Sequence, residues 1–118
     1  MITGVHATLF TPDADALRAF FRDTLELPSV DAGGGWLIFA LPPAELAAHP
    51  SDAGTGCQLY LMCDEIESTV AELQAKGVAF RGGISVEGFG LMATIELPGG
   101  GGALGLYEPR HPTADAAR

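Results

Sequence analysis

The feature that most constrains this chain is an internal duplication, because both halves carry the same order of predicted elements. The first half predicts a strand at 4–10, an amphipathic helix at about 13–25, and three short strands in SVDAGGG, WLIFALPP and AELAAHP. The second half predicts a strand at 56–62, a helix on which Ile66, Val70 and Leu73 share a face, and strands in VAFRGG, FGLMATIELP and ALGLYEP. Each half therefore predicts one βαβββ module.

The duplication pairs four polar residues. Aligning the opening glycines of the two first strands places Gln58 on His6, and aligning the final prolines of the modules places Glu108 on His49. Two modules related by approximate two-fold symmetry would bring these positions together on the concave sides of their sheets. All four side chains are possible metal ligands, although glutamine is a weak one.

Glu108 is the most informative of the four. It alternates with Leu104 and Leu106, so it should share their inward face. A carboxylate there is costly unless it is paired, protonated or bound to a metal. The alternative is a solvated carboxylate at the end of its strand, paired with Arg110.

Composition and charge limit the kinds of molecule that this chain is expected to bind. The chain has 118 residues, of which 47% are hydrophobic, so one domain with a real core is expected. The net charge of −9 argues against nucleic acid and is compatible with cationic small molecules. The sequence shows no signal peptide and no apolar run long enough to cross a membrane. Cys57 and Cys63 are too far apart along one strand for a disulfide, so a reduced, cytoplasmic protein is expected.

A duplicated βαβββ module with polar residues on its first and last strands resembles the vicinal oxygen chelate superfamily, which includes glyoxalases, extradiol dioxygenases and bleomycin-resistance proteins. The residues that carry the resemblance are GVHATLF and ALRAFFRDTLEL at the start, QLYLMCDEIESTVAELQAKGV in the middle, and GALGLYEP at the end. Glu26 stands where this superfamily commonly turns with glycine.

The resemblance implies an α+β fold in which two βαβββ modules form a curved, mixed eight-stranded sheet around a cleft, with both helices on the convex side. It implies one domain at 1–110, with modules at about 2–50 and 56–110. The remaining residues, 111–118, would form a tail, and His111 is expected at the surface. A homodimer is also implied.

The resemblance also implies a metal site. Its ligands would be His6, His49, Gln58 and Glu108, and Glu108 could serve as the catalytic base. Zn, Ni, Fe, Mn or Co would fit such a ligand set, or no metal is bound at all. Gln58 takes a position more usually held by His or Glu, so a neutral ligand, a hydrogen-bond donor to substrate and simple polar packing all stay open for it.

The pocket lining follows from strand alternation around these residues. The expected substrate-binding side chains are Gln58, Tyr60 and Met62 on one strand, Thr8 and Phe10 on another, and Trp36, which packing in the core would explain equally well.

Two functions follow from the resemblance. The first is a divalent-metal-dependent lyase, isomerase or dioxygenase acting on a small substrate with vicinal oxygens. The alternative is a metal-free protein of the bleomycin-resistance type that binds and sequesters a small-molecule antibiotic.

Overall fold

The computed structural model describes residues 6–48, 50, 52 and 57–117. The first helical segment is α1, Ala14–Ala19, which continues as a π-helical turn at Phe20–Thr24. The Asp13 side chain accepts a hydrogen bond from the Ala16 amide, and this bond begins the helix. The segment ends with Glu26 at a φ of 57°, a left-handed conformation that usually selects glycine. The predicted helix at 13–25 is confirmed.

The first half contributes only a small sheet. Strand β1, Ser29–Asp31, pairs with β2, Leu37–Phe39, in an antiparallel hairpin. The described parts of the strands predicted at 4–10 and 44–50 have no regular secondary structure. Short apolar segments of this kind become strands only where a neighbouring strand supplies hydrogen bonds.

The second half follows the predicted order closely. It contains β3 at Tyr60–Met62, α2 at Ile66–Ala75, β4 at Ala79–Phe80, β5 at Ser85–Glu87, β6 at Gly90–Glu96 and β7 at Ala103–Pro109. Short 3₁₀ turns lie at Pro98–Gly100 and Ala114–Ala117. These strands form a five-stranded sheet in the order β3-β7-β6-β4, with β5 also paired to β6. Strand β3 runs parallel to β7, and the other pairs are antiparallel.

The core lies on one face of this larger sheet. Leu17 and Phe20 of the first helical segment and Ile66 and Leu73 of α2 pack in one cluster with the buried side chains of β6 and β7, namely Ala93, Ile95, Leu104 and Leu106. Both helical segments therefore cover the same face, as the resemblance implied. The overall class is mixed α+β, while the described residues show one two-stranded and one five-stranded sheet, so a single eight-stranded sheet is not confirmed. None of the helices in the described ranges has the length and apolar character needed to cross a membrane.

Candidate functional site

Strand alternation divides the five-stranded sheet into a helix-covered face and an open face. Tyr60 is paired with Gly105, and Met62 and Met92 are both paired with Tyr107. Paired residues point to the same side of a sheet, so these side chains all lie opposite the helices. We call this side the open face.

Three aromatic rings meet on the open face. The centroid of the Tyr107 ring lies 5.2 Å from Phe89 and 5.7 Å from Tyr60, with both pairs edge to face. Tyr60 and Phe89 are 6.1 Å apart. Gly105 makes this packing possible, because a β-carbon there would overlap the Tyr60 ring. We call Tyr60, Phe89 and Tyr107 the aromatic cluster.

Three of the predicted substrate-binding residues lie at or beside the aromatic cluster. The Tyr60 hydroxyl donates a hydrogen bond of 2.9 Å to the amide oxygen of Gln58, and Gln58 is exposed. Met62 lies two residues further along β3, on the same face as Tyr60, and is 40% exposed. The structure thus brings Gln58, Tyr60 and Met62 together along β3 and the residues just before it.

Glu108 lies on the other side of the sheet. Its register partner is Leu91, and it shares a face with the buried Leu104 and Leu106, as alternation predicted. The helices cover this face, so it is not the concave side on which the duplication placed Glu108. Its Oε1 accepts a hydrogen bond of 3.1 Å from the backbone amide of Ile66, the first residue of α2. The carboxylate therefore satisfies a free amide at a helix N-terminus, where negative charge is favourable. It does not share a face with Gln58.

The other predicted site residues are more dispersed. His6, Thr8 and Phe10 are exposed in a segment without regular structure, and the Phe10 side chain is 91% exposed. Trp36 lies in the β1–β2 turn, where the Arg18 guanidinium stands 5.0 Å from the centre of its ring. His49 lies outside the described residues.

The predicted metal ligands can be tested against this placement. Within residues 6–48 and 57–117, no three His, Cys, Asp or Glu side chains are grouped so that they could hold a metal ion. On the open face, the β7 residue paired with Tyr60 is Gly105, which has no side chain to bind a metal. Glu108 lies on the other face, toward the helices. Among the described residues, therefore, the predicted ligands are not grouped into a metal site, and His49 lies outside that part of the chain.

Sequence reasoning missed a second polar group at the edge of the aromatic cluster. The Tyr107 hydroxyl lies 3.4 Å from Oε1 of Glu45 and 3.2 Å from Nε2 of His111. Burial, followed by the neighbouring Glu45 carboxylate, raises the pKa of Tyr107. The His111 side chain is 32% exposed, so it lies at the surface but is partly covered. Gly105 and Tyr107 are two residues apart on β7 and so share a face, and Tyr60 is paired with Gly105 on that face. Alternation could therefore have indicated the face of Tyr107, whereas no local sequence pattern connects Glu45 with His111.

Comparison with known proteins bears on the fold. Neither a protein-family model nor a curated protein matches this sequence. Among solved structures, the chain is similar to TnmS3, an antibiotic binding protein from Streptomyces sp. CB03234, with 24% identity, a TM-score of 0.60, and coverage of 92% of this chain and 99% of that one.

Two further structures give the same result. A lactoylglutathione lyase from Agrobacterium tumefaciens is 18% identical with a TM-score of 0.62, over 91% of this chain and 94% of the lyase. A glyoxalase/bleomycin resistance protein/dioxygenase from Nocardioides is 17% identical with a TM-score of 0.62, over 95% of this chain and 89% of that one. The predicted resemblance is therefore confirmed at the level of the fold, which this chain shares with glyoxalase, bleomycin-resistance and dioxygenase proteins.

Proposed function

We propose that this protein binds a small organic molecule on the open face of its larger sheet, without a metal ion. The observation that carries the proposal is the aromatic cluster of Tyr60, Phe89 and Tyr107, which lies opposite the helices. Ligand sites combine apolar and aromatic walls with a few convergent polar groups. Gln58 and Glu45 are such groups at the borders of the cluster.

The chemistry of this face favours a ligand that is aromatic and positively charged. Aromatic rings attract cations through their faces, and a nearby carboxylate adds Coulombic attraction. The chain carries a formal charge of −9, which draws cations toward any groove on its surface. The fold shared with an antibiotic binding protein supports the proposal that this chain sequesters such a molecule.

A metal-dependent lyase, isomerase or dioxygenase is the second candidate. In that case His6, His49, Gln58 and Glu108 would be the ligands of a divalent ion, and Glu108 the base. The similarity in fold to a lactoylglutathione lyase supports it. The hydrogen bond between Glu108 and the Ile66 amide counts against it, because that carboxylate would have to leave a helix N-terminus.

Calorimetric titration of chelator-treated protein separates the two candidates. With bleomycin as a cationic aromatic probe, we expect binding without added metal. The Phe89→Ala variant should bind about tenfold more weakly, the loss of one aromatic contact. Val86→Ala is the matched control, because Val86 is exposed on the opposite face of the same sheet and should leave affinity unchanged. Binding of Zn(II), Ni(II) or Fe(II) by the protein in a titration without bleomycin, or turnover of a glyoxalase substrate, would favour the enzyme.

We also propose a homodimer. Several large apolar side chains are left exposed on the β1–β2 hairpin and in the segment at 40–48 that follows it, namely Val30, Trp36, Leu41 and Leu46. Burying them against a second copy would remove unfavourable apolar surface. In this proposal the two sheets belong to one curved, eight-stranded sheet, completed within a chain or between two. Sedimentation of a monomer alone at micromolar concentration would contradict the dimer.

A further inference from the structure

Two parts of the chain that are distant in sequence meet at one polar cluster, formed by Glu45 on one side and by Tyr107 and the nearby His111 on the other. Glu45 belongs to the connector at 40–48, Tyr107 to β7, and His111 to the tail at 110–117. Glu45 also accepts a hydrogen bond of 2.7 Å from the Ala114 amide through its Oε2, so a single carboxylate contacts both β7 and the tail. The tail begins beside the aromatic cluster, where the Arg110 amide donates to the Phe89 carbonyl.

A count of protons indicates the charge state of His111. Its Nδ1 lies 2.9 Å from the Pro112 carbonyl oxygen, which can only accept, so a hydrogen bond there requires a proton on Nδ1. In a neutral ring with that proton, Nε2 is an acceptor. The Tyr107 hydroxyl has one proton, and it would then serve either His111 or Glu45, but not both.

A protonated ring satisfies every contact. Nδ1 then donates to Pro112, Nε2 donates to the Tyr107 oxygen, and Tyr107 donates to Glu45. Nε2 also lies 3.9 Å from Oε1 of Glu45, within the range of an ion pair. With Glu45 ionised, the observed arrangement is therefore complete only when His111 carries a positive charge.

We infer that Glu45 and His111 form a protonation-dependent latch, which holds the connector and the tail over Tyr107 when His111 is charged and releases them when it is neutral. The titratable groups in contact with the His111 ring are Glu45 from the connector and Tyr107 from β7, and Arg110 and Asp115 flank it on the tail. Histidine is the side chain that changes charge near neutral pH, so the latch closes on the acid side of that range. If the latch controls access of a ligand to Tyr107, that consequence rests on the binding function proposed above.

The latch can be measured without any ligand. Amide hydrogen exchange is followed by NMR at about pH 5.5 and about pH 8.5, on either side of the imidazole range, after correction for the intrinsic pH dependence of exchange. We expect the Ala114 amide to be protected about fivefold more strongly at the lower pH, since a charged partner strengthens the cluster. His111→Gln and Glu45→Gln should both lose this difference.

Two further NMR measurements report the protonation of His111 and the folding of each variant. The ring nitrogen shifts of His111 should show both nitrogens protonated in the protein with a protected Ala114 amide. Protection of the α2 amides in the same spectra shows that each variant is folded, and Glu72→Gln, an exposed carboxylate change on α2, should keep the pH dependence.

Equal protection of Ala114 at both pH values, or a pH dependence that persists in His111→Gln, would overturn the latch. Bleomycin titrations at the same two pH values test the binding function separately. A latch seen in exchange with no ligand bound would refute only the proposed function, and bound ligand with no latch would refute only this inference.

Discussion

Replacing Glu108 by glutamine tests whether this residue stabilises a helix or binds a metal. The Glu108 carboxylate accepts a hydrogen bond of 3.1 Å from the amide of Ile66, a residue with no exposed surface. A hydrogen bond to a charged group contributes about 1.5–3 kcal/mol, and one between neutral groups about 0.5–1.5 kcal/mol. Glu108→Gln keeps an acceptor and removes the charge, so the free energy of unfolding should fall by about 1 kcal/mol.

Glu108→Ala extends the same measurement. It removes the acceptor and leaves a buried amide unpaired, so a loss of about 2 kcal/mol is expected. The assay is urea unfolding followed by far-UV circular dichroism in metal-free buffer at neutral pH. Glu72→Gln is the matched control, because it makes the same charge change at an exposed site on α2 and should alter stability by less than about 0.5 kcal/mol.

Two outcomes for Glu108→Gln would contradict a role for this carboxylate in stabilising α2. A Glu108→Gln variant as stable as the wild type in chelator would show that the carboxylate does not stabilise α2. A loss of one to two powers of ten in affinity for Zn(II), Ni(II) or Fe(II) would instead identify Glu108 as a metal ligand. The placement of Glu108 on the helix-covered face predicts that titrations of wild type and variant with these metals are indistinguishable.

Three other predictions each follow from the surroundings or backbone conformation of one residue. Gly105→Ala should displace the ring of Tyr60, lowering stability by about 1–3 kcal/mol in urea unfolding and weakening bleomycin binding by calorimetry. Glu26→Gly should raise the thermal midpoint, with a gain of about 1 kcal/mol, because glycine adopts its left-handed φ without strain. Burial raises the pKa of the Cys63 thiol, so at pH 8 less of it is thiolate and iodoacetamide should modify it more slowly than the exposed Cys57, as read by peptide mass spectrometry.

The second half of the chain was predictable because its patterns are local and strong. Apolar spacing located α2, and the alternating strands around Leu106 were recognised from their period of two. Alternation also grouped Glu108 correctly with Leu104 and Leu106, but the helices cover that face, whereas the duplication had placed Glu108 in the cleft. The strands predicted at 4–10 and 44–50 were not predictable in this way, because a short apolar segment needs a paired neighbour to become a strand, and pairing is not encoded locally.

The sequence by itself determined the fold class, the order of elements in the second half and which residues of a strand share a face. Only the tertiary structure decided what covers each face. Alternation groups Leu104, Leu106 and Glu108, but packing of the helices against that group makes it the core and gives Glu108 an amide as its partner. The same packing leaves Tyr60 and Tyr107 on the opposite side, beside His111 and beside Glu45 from a distant segment. The physical reason is that side-chain direction follows from local backbone geometry, whereas a binding face arises from contacts between segments far apart in the chain.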